Sequence, residues 1–386
     1  MTARTTLDRT TLGERAVGFM TPALSIYLDA VRFLAALAVV IGHGLQYGLY
    51  RGPYLMSHYG HESVVCFFVL SGLVISITAF RRETTLRRYA VARLSRVYSV
   101  VLAAIPFCFT AFVLARALGF DLPPTVWQGQ FGVWPAISSL LFLNQSWFNP
   151  AGLILNRPYW SLCYEVFYYL AFGVAMFAPR WRWPLVAGVL GVAGPAIVAL
   201  LPIWLMGAAL ALSRWPRRIG PIAGLLLFVG GVALAWWLVA SGIDWRIQAI
   251  MRRVPGWWVL GASQRAVTDV ALGGLVVVNF AGARALSGQI GPALARAERP
   301  IRFLANSSFT LYIFHFPLLM LARGGGLSAG DDPVRFTALL AVVVAICVGI
   351  AALTEARRGQ LARLIDGLLD RRPRAPSLAT DDPARE

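Results

Sequence analysis

Arg32 and His43 are the pair from which chemistry can first be argued. Both lie in YLDAVRFLAALAVVIGHGLQYGLY, residues 27–50, a run long enough to cross a bilayer. Ionised groups are costly in hydrocarbon, so inside such a run they mark a pathway or a reaction centre. The two are eleven residues apart, about three turns of helix, within roughly 20° of one face and roughly 16 Å apart along the axis. Asp29, Tyr47 and Tyr50 fall within about 60° of the same line. A histidine titrates near neutral pH and can take a proton from a hydroxyl as general base. The plainer alternative is that Arg32 snorkels to one interface while His43 lies near the other.

Four other stretches carry groups of the same kind. Residues 81–96, RRETTLRRYAVARLSR, hold six arginines. Arg93 and Arg96 are three apart, share a helix face, and suit bidentate phosphate binding. Retention of positive charge in cytoplasmic loops explains arginines here equally well. Within CFFVLSGLVIS, residues 66–76, Ser71-Gly72 permits close backbone approach, of a neighbouring helix or of a thin ligand. RPYWSLCYEVFYYL, residues 157–170, places Glu165 inside a span, with Ser161 and Tyr168 on its face and Tyr164 beside it. That carboxylate needs a cation or a donor, either as partner to a His or Arg in a shared cavity or as a tie between helices. In NSSFTLYIFHFPLL, residues 306–319, Ser308, Tyr312 and His315 line one face. His315 reads either as a satisfied core histidine or as part of a site. His58 and His61 lie near a loop and carry no clear signal.

The elements that position these groups are membrane helices. Of 386 residues 58% are hydrophobic and 14% charged, too few charges for a soluble domain. The formal charge of +17 is carried by arginine alone, with no lysine, and follows from basic loops orienting helices rather than from nucleic-acid binding. The fold class is an all-α polytopic membrane protein with about ten transmembrane helices around a central polar cavity. The spans are expected near 27–50, 61–80, 97–118, 158–178, 183–201, 202–213, 219–240, 266–285, 303–323 and 334–355, with the fifth and sixth divided at Leu201-Pro202. Residues 133–147 are too short to span and read as re-entrant or interfacial. The loop 241–265, with its Trp257-Trp258 pair, reads as interfacial. Arginine placement puts loop 81–96 and both termini in the cytoplasm. This gives a cytoplasmic segment 1–24, a transmembrane domain 25–357 and a cytoplasmic tail 358–386, disordered from about Asp366. No cleavable signal peptide is visible. The four cysteines show neither a disulfide framework nor a zinc-ligand spacing, and no metal is expected.

Taken together the stretches resemble the acyltransferase 3 family of integral-membrane O-acyltransferases. LDAVRFLAALAVVIGH, residues 28–43, matches its opening pattern of Arg and His separated by ten residues. FFVLSGLVIS, RLSRVY at 93–98, YWSLCYEVFYYL and SSFTLYIFHFPLL match four further elements in the right order. Departures are Tyr98-Ser99 where proline is common, Val166-Phe167 for Gln-Phe, and Glu355-Ala356-Arg357 for Glu-x-Pro.

The resemblance implies transfer of an acyl group, usually acetyl from cytoplasmic acetyl-CoA, to a hydroxyl of a cell-surface carbohydrate or other extracytoplasmic acceptor. It implies a bacterial inner membrane location and functional roles for His43 and Arg32. Arg93 and Arg96 would hold the CoA phosphates, and the pantetheine arm would pass Ser71 and Gly72. His43 would act as base or acyl carrier, with Arg32 or Glu165 orienting it or stabilising charge. Trp160, Tyr164, Tyr168, Tyr312 and His315 are the candidate substrate-binding residues. The competing class is a transporter or flippase of a glycan or metabolite, which uses intramembrane Arg, His and Glu as readily.

Overall fold

The computed structural model describes residues 13–14, 18–53, 59–147, 149 and 151–370. Most of the expected N-terminal segment, His58 and the tail beyond residue 370 lie outside the described residues. Helices α1 (Pro22–Gln46), α2 (Gly60–Arg81) and α3 (Leu86–Ala117) are followed by a short α4 (Val133–Leu140). Next come α5 (Trp160–Phe177), α6 (Arg182–Ala193), α7 (Pro195–Leu212), α8 (Pro221–Ala240) and α9 (Ile243–Met251). The chain continues through α10 (Ala266–Ala285), α11 (Ser287–Arg296), α12 (Glu298–Ala305), α13 (Ser308–Gly324), α14 (Pro333–Leu353) and α15 (Arg358–Leu369). No strand occurs among the described residues. Eight helices are long and apolar enough to cross a membrane, and α12 with α13, bent by 53°, would make a ninth. The remaining expected pass falls on α6, which has only 12 residues.

Local chemistry sets several of these boundaries. The hydroxyl of Thr21 accepts from Leu24 N at 3.1 Å, with Pro22 at the first helical position of α1. Thr85 caps α3 in the same way, and the Asp332 carboxylate accepts from two amides at the start of α14. α3 therefore begins at Leu86, eleven residues before the expected position, and carries Arg87 to Arg96 as helix rather than loop. The break between the fifth and sixth passes is at Gly194, whose φ of +87° suits only glycine, and not at Leu201-Pro202. Pro202 sits inside α7, where the missing amide leaves the helix unbroken. The tail is helical through Leu369, and Arg87 on α3 pairs with Asp366 and Asp370 at its end.

The central crossing is α2 against α7. A methyl group on Gly72 would lie 1.9 Å from the Trp204 carbonyl oxygen, and one on Gly207 the same distance from that of Val69. The two backbones touch, the packing that small residues allow where no hydrophobic force acts between helices. α8 lies at the periphery on α10, with Ile222, Leu226 and Trp236 exposed. Around the crossing, α1, α2, α3, α5 and α13 enclose the polar interior.

Candidate functional site

Three cavities follow one another through this interior. The middle one is a neck of about 90 Å³ lined by Arg32, Ser71, Arg93, Arg96, Glu165 and Tyr169, among others. At its arginine end lies a cavity of about 660 Å³, bordered by Arg82, Arg88, Arg93, Arg96, Arg358 and Arg363 and by only two acids, Glu83 and Asp366. Beyond Val64 and Tyr312, which line both spaces, the neck meets a cavity of about 1060 Å³ containing His43. Arg32 and His43 thus face different compartments of one path, as their spacing along α1 requires.

At the neck, the Ser71 hydroxyl donates to Glu165 Oε1 at 2.8 Å, and the Tyr169 hydroxyl donates to the same oxygen. Trp204 Nε1–H donates to Ser71 Oγ at 3.2 Å. Glu165 is held by hydroxyl donors, and no described cation lies within ion-pair distance of it. Arg32 pairs with Asp29 at 2.8 Å, and Asp29 pairs in turn with Arg302 at 2.9 Å. Arg93 pairs with Glu83 and lies over the rings of Tyr89 and Tyr169. Arg96 lies over Phe309 and has no such carboxylate partner among the described residues. Outside the spans, burial holds the Glu83 carboxyl above the ordinary range, with Arg93 opposing that rise.

Behind the wall of the wide cavity, His43 Nδ1 and His315 Nε2 are 2.9 Å apart, and His315 Nδ1 is 2.9 Å from the Leu311 carbonyl. His315 is fully buried and lines neither space, so it backs His43 rather than meeting substrate as expected. A carbonyl only accepts, so His315 carries its proton on Nδ1 and its Nε2 is an acceptor. His43 must then carry its proton on Nδ1, which leaves His43 Nε2 as the free lone pair. The two rings meet edge to edge, 22° from coplanar, and Phe316 meets both in a T-shape. Tyr312, also beside His315, bonds Ser161 at 2.6 Å and donates to the Pro158 carbonyl at 3.0 Å.

Proline in α13 explains a further wall. Pro317 has no amide to give to Ile313 O, and Asn156 Nδ2 donates to that carbonyl at 2.9 Å instead. Asn156 is thereby fixed at the cavity edge with its Oδ1 unpartnered. The turns after the short α4 bring in Asn144 and Gln145, and α9 brings in Trp245.

Ser71, Ser161 and Glu165 line the neck, Tyr312 both spaces, and His43 and Trp160 the wide cavity. Three further expectations are corrected. Gly72 faces the Trp204 backbone and not the path, because α7 occupies the space a ligand would need. Tyr164 bonds Ser263 at 3.0 Å, and Tyr168 donates to Ile197 O at 2.7 Å. Both are fully buried and tie α5 to its neighbours, so they line neither the neck nor the wide cavity.

Sequence reasoning missed His61. Its Nε2 lies 3.0 and 2.9 Å from the two Asp269 carboxylate oxygens, and its ring stacks on Trp160 at the wide cavity. An acid and a histidine each inside an apolar run was the available signal. Nearby, Arg265 bridges Glu62 and Asp244 at 2.5 and 2.6 Å. Glu355, in the altered Glu-x-Pro element, accepts from Thr310 N and Oγ1 at 2.9 and 2.8 Å and so secures the start of α13.

A multi-pass helical protein with a polar path through its centre is the class this geometry defines. The chain belongs to the acyltransferase domain family, which it matches over residues 25–352. It is similar to the exopolysaccharide production protein ExoZ of Rhizobium meliloti (strain 1021), with 24% identity over 325 residues, 81% of this chain and 94% of that protein. No solved structure matches it.

Proposed function

We propose that the protein transfers acetyl from cytoplasmic acetyl-CoA to a hydroxyl of a cell-envelope carbohydrate on the other side of a bacterial inner membrane. The observation that carries this reading is the line of adjoining cavities from an arginine-rich cavity, through a narrow neck, to a histidine with a free lone pair. Family membership supports acyl transfer over transport, and similarity to a protein named for exopolysaccharide production supports a carbohydrate acceptor. Six arginines against two acids suit the nucleotide phosphates of CoA. The neck suits a thin pantetheine arm, whose thioester would pass Ser71 and Glu165 toward His43. Arginine placement supports both termini in the cytoplasm.

In this reading His43 Nε2 takes the proton of the acceptor hydroxyl as its oxygen attacks the thioester carbon. The carbon–sulfur bond breaks, the acetyl ester forms, and the departing thiolate recovers the proton from His43. His315 holds His43 in the tautomer that this requires. Arg32 stands at the far end of α1 and acts on the donor rather than on the histidine. Trp160 and Tyr312 contribute to the acceptor side. Purified protein in nanodiscs with radiolabelled acetyl-CoA provides the test. Saturable donor binding, with thioester turnover abolished in His43→Ala, is the expected result. A folded His43→Ala protein turning over at the wild-type rate would remove the assignment.

A further inference from the structure

The proposal below rests on the reading of the wide cavity as the acceptor side. Its walls combine amides with aromatic faces: Gln46, Asn144 and Gln145 with Tyr47, Trp160 and Trp245. That is the mixture that sugars take, hydroxyls on amides and ring faces on aromatics. Asn144 is 1% exposed, and neither its Nδ2 nor its Oδ1 has a protein partner. A buried amide in that state calls for a polar ligand.

The charge of the cavity is one-sided. No carboxylate lines it among the described residues. The acids nearby are already matched: Asp269 with His61, and Glu62 and Asp244 with Arg265. Arg157 differs. It opens the one-turn segment Arg157–Tyr159 ahead of α5 and lines the cavity with an exposed side chain. No described carboxylate lies within ion-pair distance of it. It shares the cavity wall with Tyr47, the residue that caps α1 one turn beyond His43.

We propose that Arg157 binds a carboxylate of the acceptor, so that the acceptor is an acidic glycan carrying uronate-type sugars. A lone guanidinium offers the planar fork that pairs bidentately with one carboxylate. A diphosphate carries more charge and calls for several cations, as the cavity at the other end of the neck supplies. Pairing at Arg157 would set the acidic sugar beside Tyr47 and present a neighbouring hydroxyl to His43.

The test is direct binding, independent of chemistry. Full-length protein in nanodiscs is titrated with tetra-galacturonate and tetra-mannuronate, each beside its carboxyl-reduced neutral form, using isothermal calorimetry. At least one acidic tetramer should bind the wild type about tenfold or more tightly than its neutral form. Arg157→Gln should erase that preference, and Arg157→Lys should keep part of it. Equal binding of acidic and neutral forms, a preference that survives Arg157→Gln, or no binding of either acid would overturn the proposal. The wild-type comparison decides even if a variant fails to fold. Acetyl-CoA binding measured on the same samples reports separately on the donor. Its absence would sink the acyl-transfer reading and leave the acid preference standing on its own result.

Discussion

Replacing His315 tests the tautomer argument most directly. The ring accepts from His43 Nδ1 and anchors itself on Leu311 O, both at 2.9 Å. His315→Ala removes the acceptor and leaves His43 free to rotate or to place its proton on Nε2. One neutral hydrogen bond contributes about 0.5–1.5 kcal/mol, a factor of roughly 2–12 in the population of the productive state. Losing the base itself costs about 10²–10⁴ in rate. His315→Ala should therefore lower kcat for acetyl transfer by about tenfold, well short of His43→Ala, with the KM for acetyl-CoA unchanged. Glutamine can donate its amide to Leu311 O and accept from His43 through Oε1, so His315→Gln should recover part of the loss. The double variant should be no worse than His43→Ala alone, because the relay has nothing to hold once the base is gone. Single-turnover transfer of labelled acetyl in nanodiscs reads all four proteins. A double variant slower than His43→Ala by the full factor seen in His315→Ala would refute the reasoning, since the two residues would then be acting independently.

Asn156→Leu leaves Ile313 O unpaired inside the bundle and should cost about 1–3 kcal/mol. Adding Pro317→Ala restores an amide to that carbonyl and should recover most of it, as a thermal melt in detergent would show. Gly72→Ala drives a methyl into the Trp204 carbonyl and should lower the melting temperature sharply, whereas Ser71→Ala should fold and slow acyl transfer. Arg96→Gln should weaken CoA binding by about tenfold, through loss of a charge-assisted bond in a partly enclosed site. Glu83→Gln frees Arg93 and should strengthen CoA binding, which titration with radiolabelled CoA would check.

The parts of the site legible in the sequence were those where an ionisable group interrupts an apolar run. Arg32, His43, Glu165 and His315 were found this way, because hydrocarbon makes such residues conspicuous. The separation of Arg32 from His43 followed from the rise per residue along α1, but the division of the interior into a neck and a wider space did not. Helix order was legible from the apolar runs, whereas the expected ten spans stand against eight long apolar helices, or nine with the bent pair, because the pass expected at 183–201 is a helix of only 12 residues. The break at Gly194 was not, because a proline eight residues later gave the stronger local signal and membrane packing overrode it. Gly72, Tyr164 and Tyr168 were misplaced for a different reason: periodicity gives a face but not what occupies the space in front of it. Asn144, Asn156 and Arg157 come from loops and turns, where no period exists, and only the folded chain brings them to His43.

The narrowness of the neck has an electrical consequence. A membrane protein hollow from both ends would short-circuit the ion gradient its host maintains. Here the hollow closes to about 90 Å³ at the Ser71–Glu165–Tyr169 cluster, room for only a few waters. Arg32 and Arg96 border the same constriction, and fixed positive charge at a narrow point repels protons and other cations. An uncharged acyl chain on a slender arm can enter such a gap and fill it, while a hydrated ion cannot. In the proposed reading, the same few side chains would insulate the bilayer and still admit the donor's slender arm.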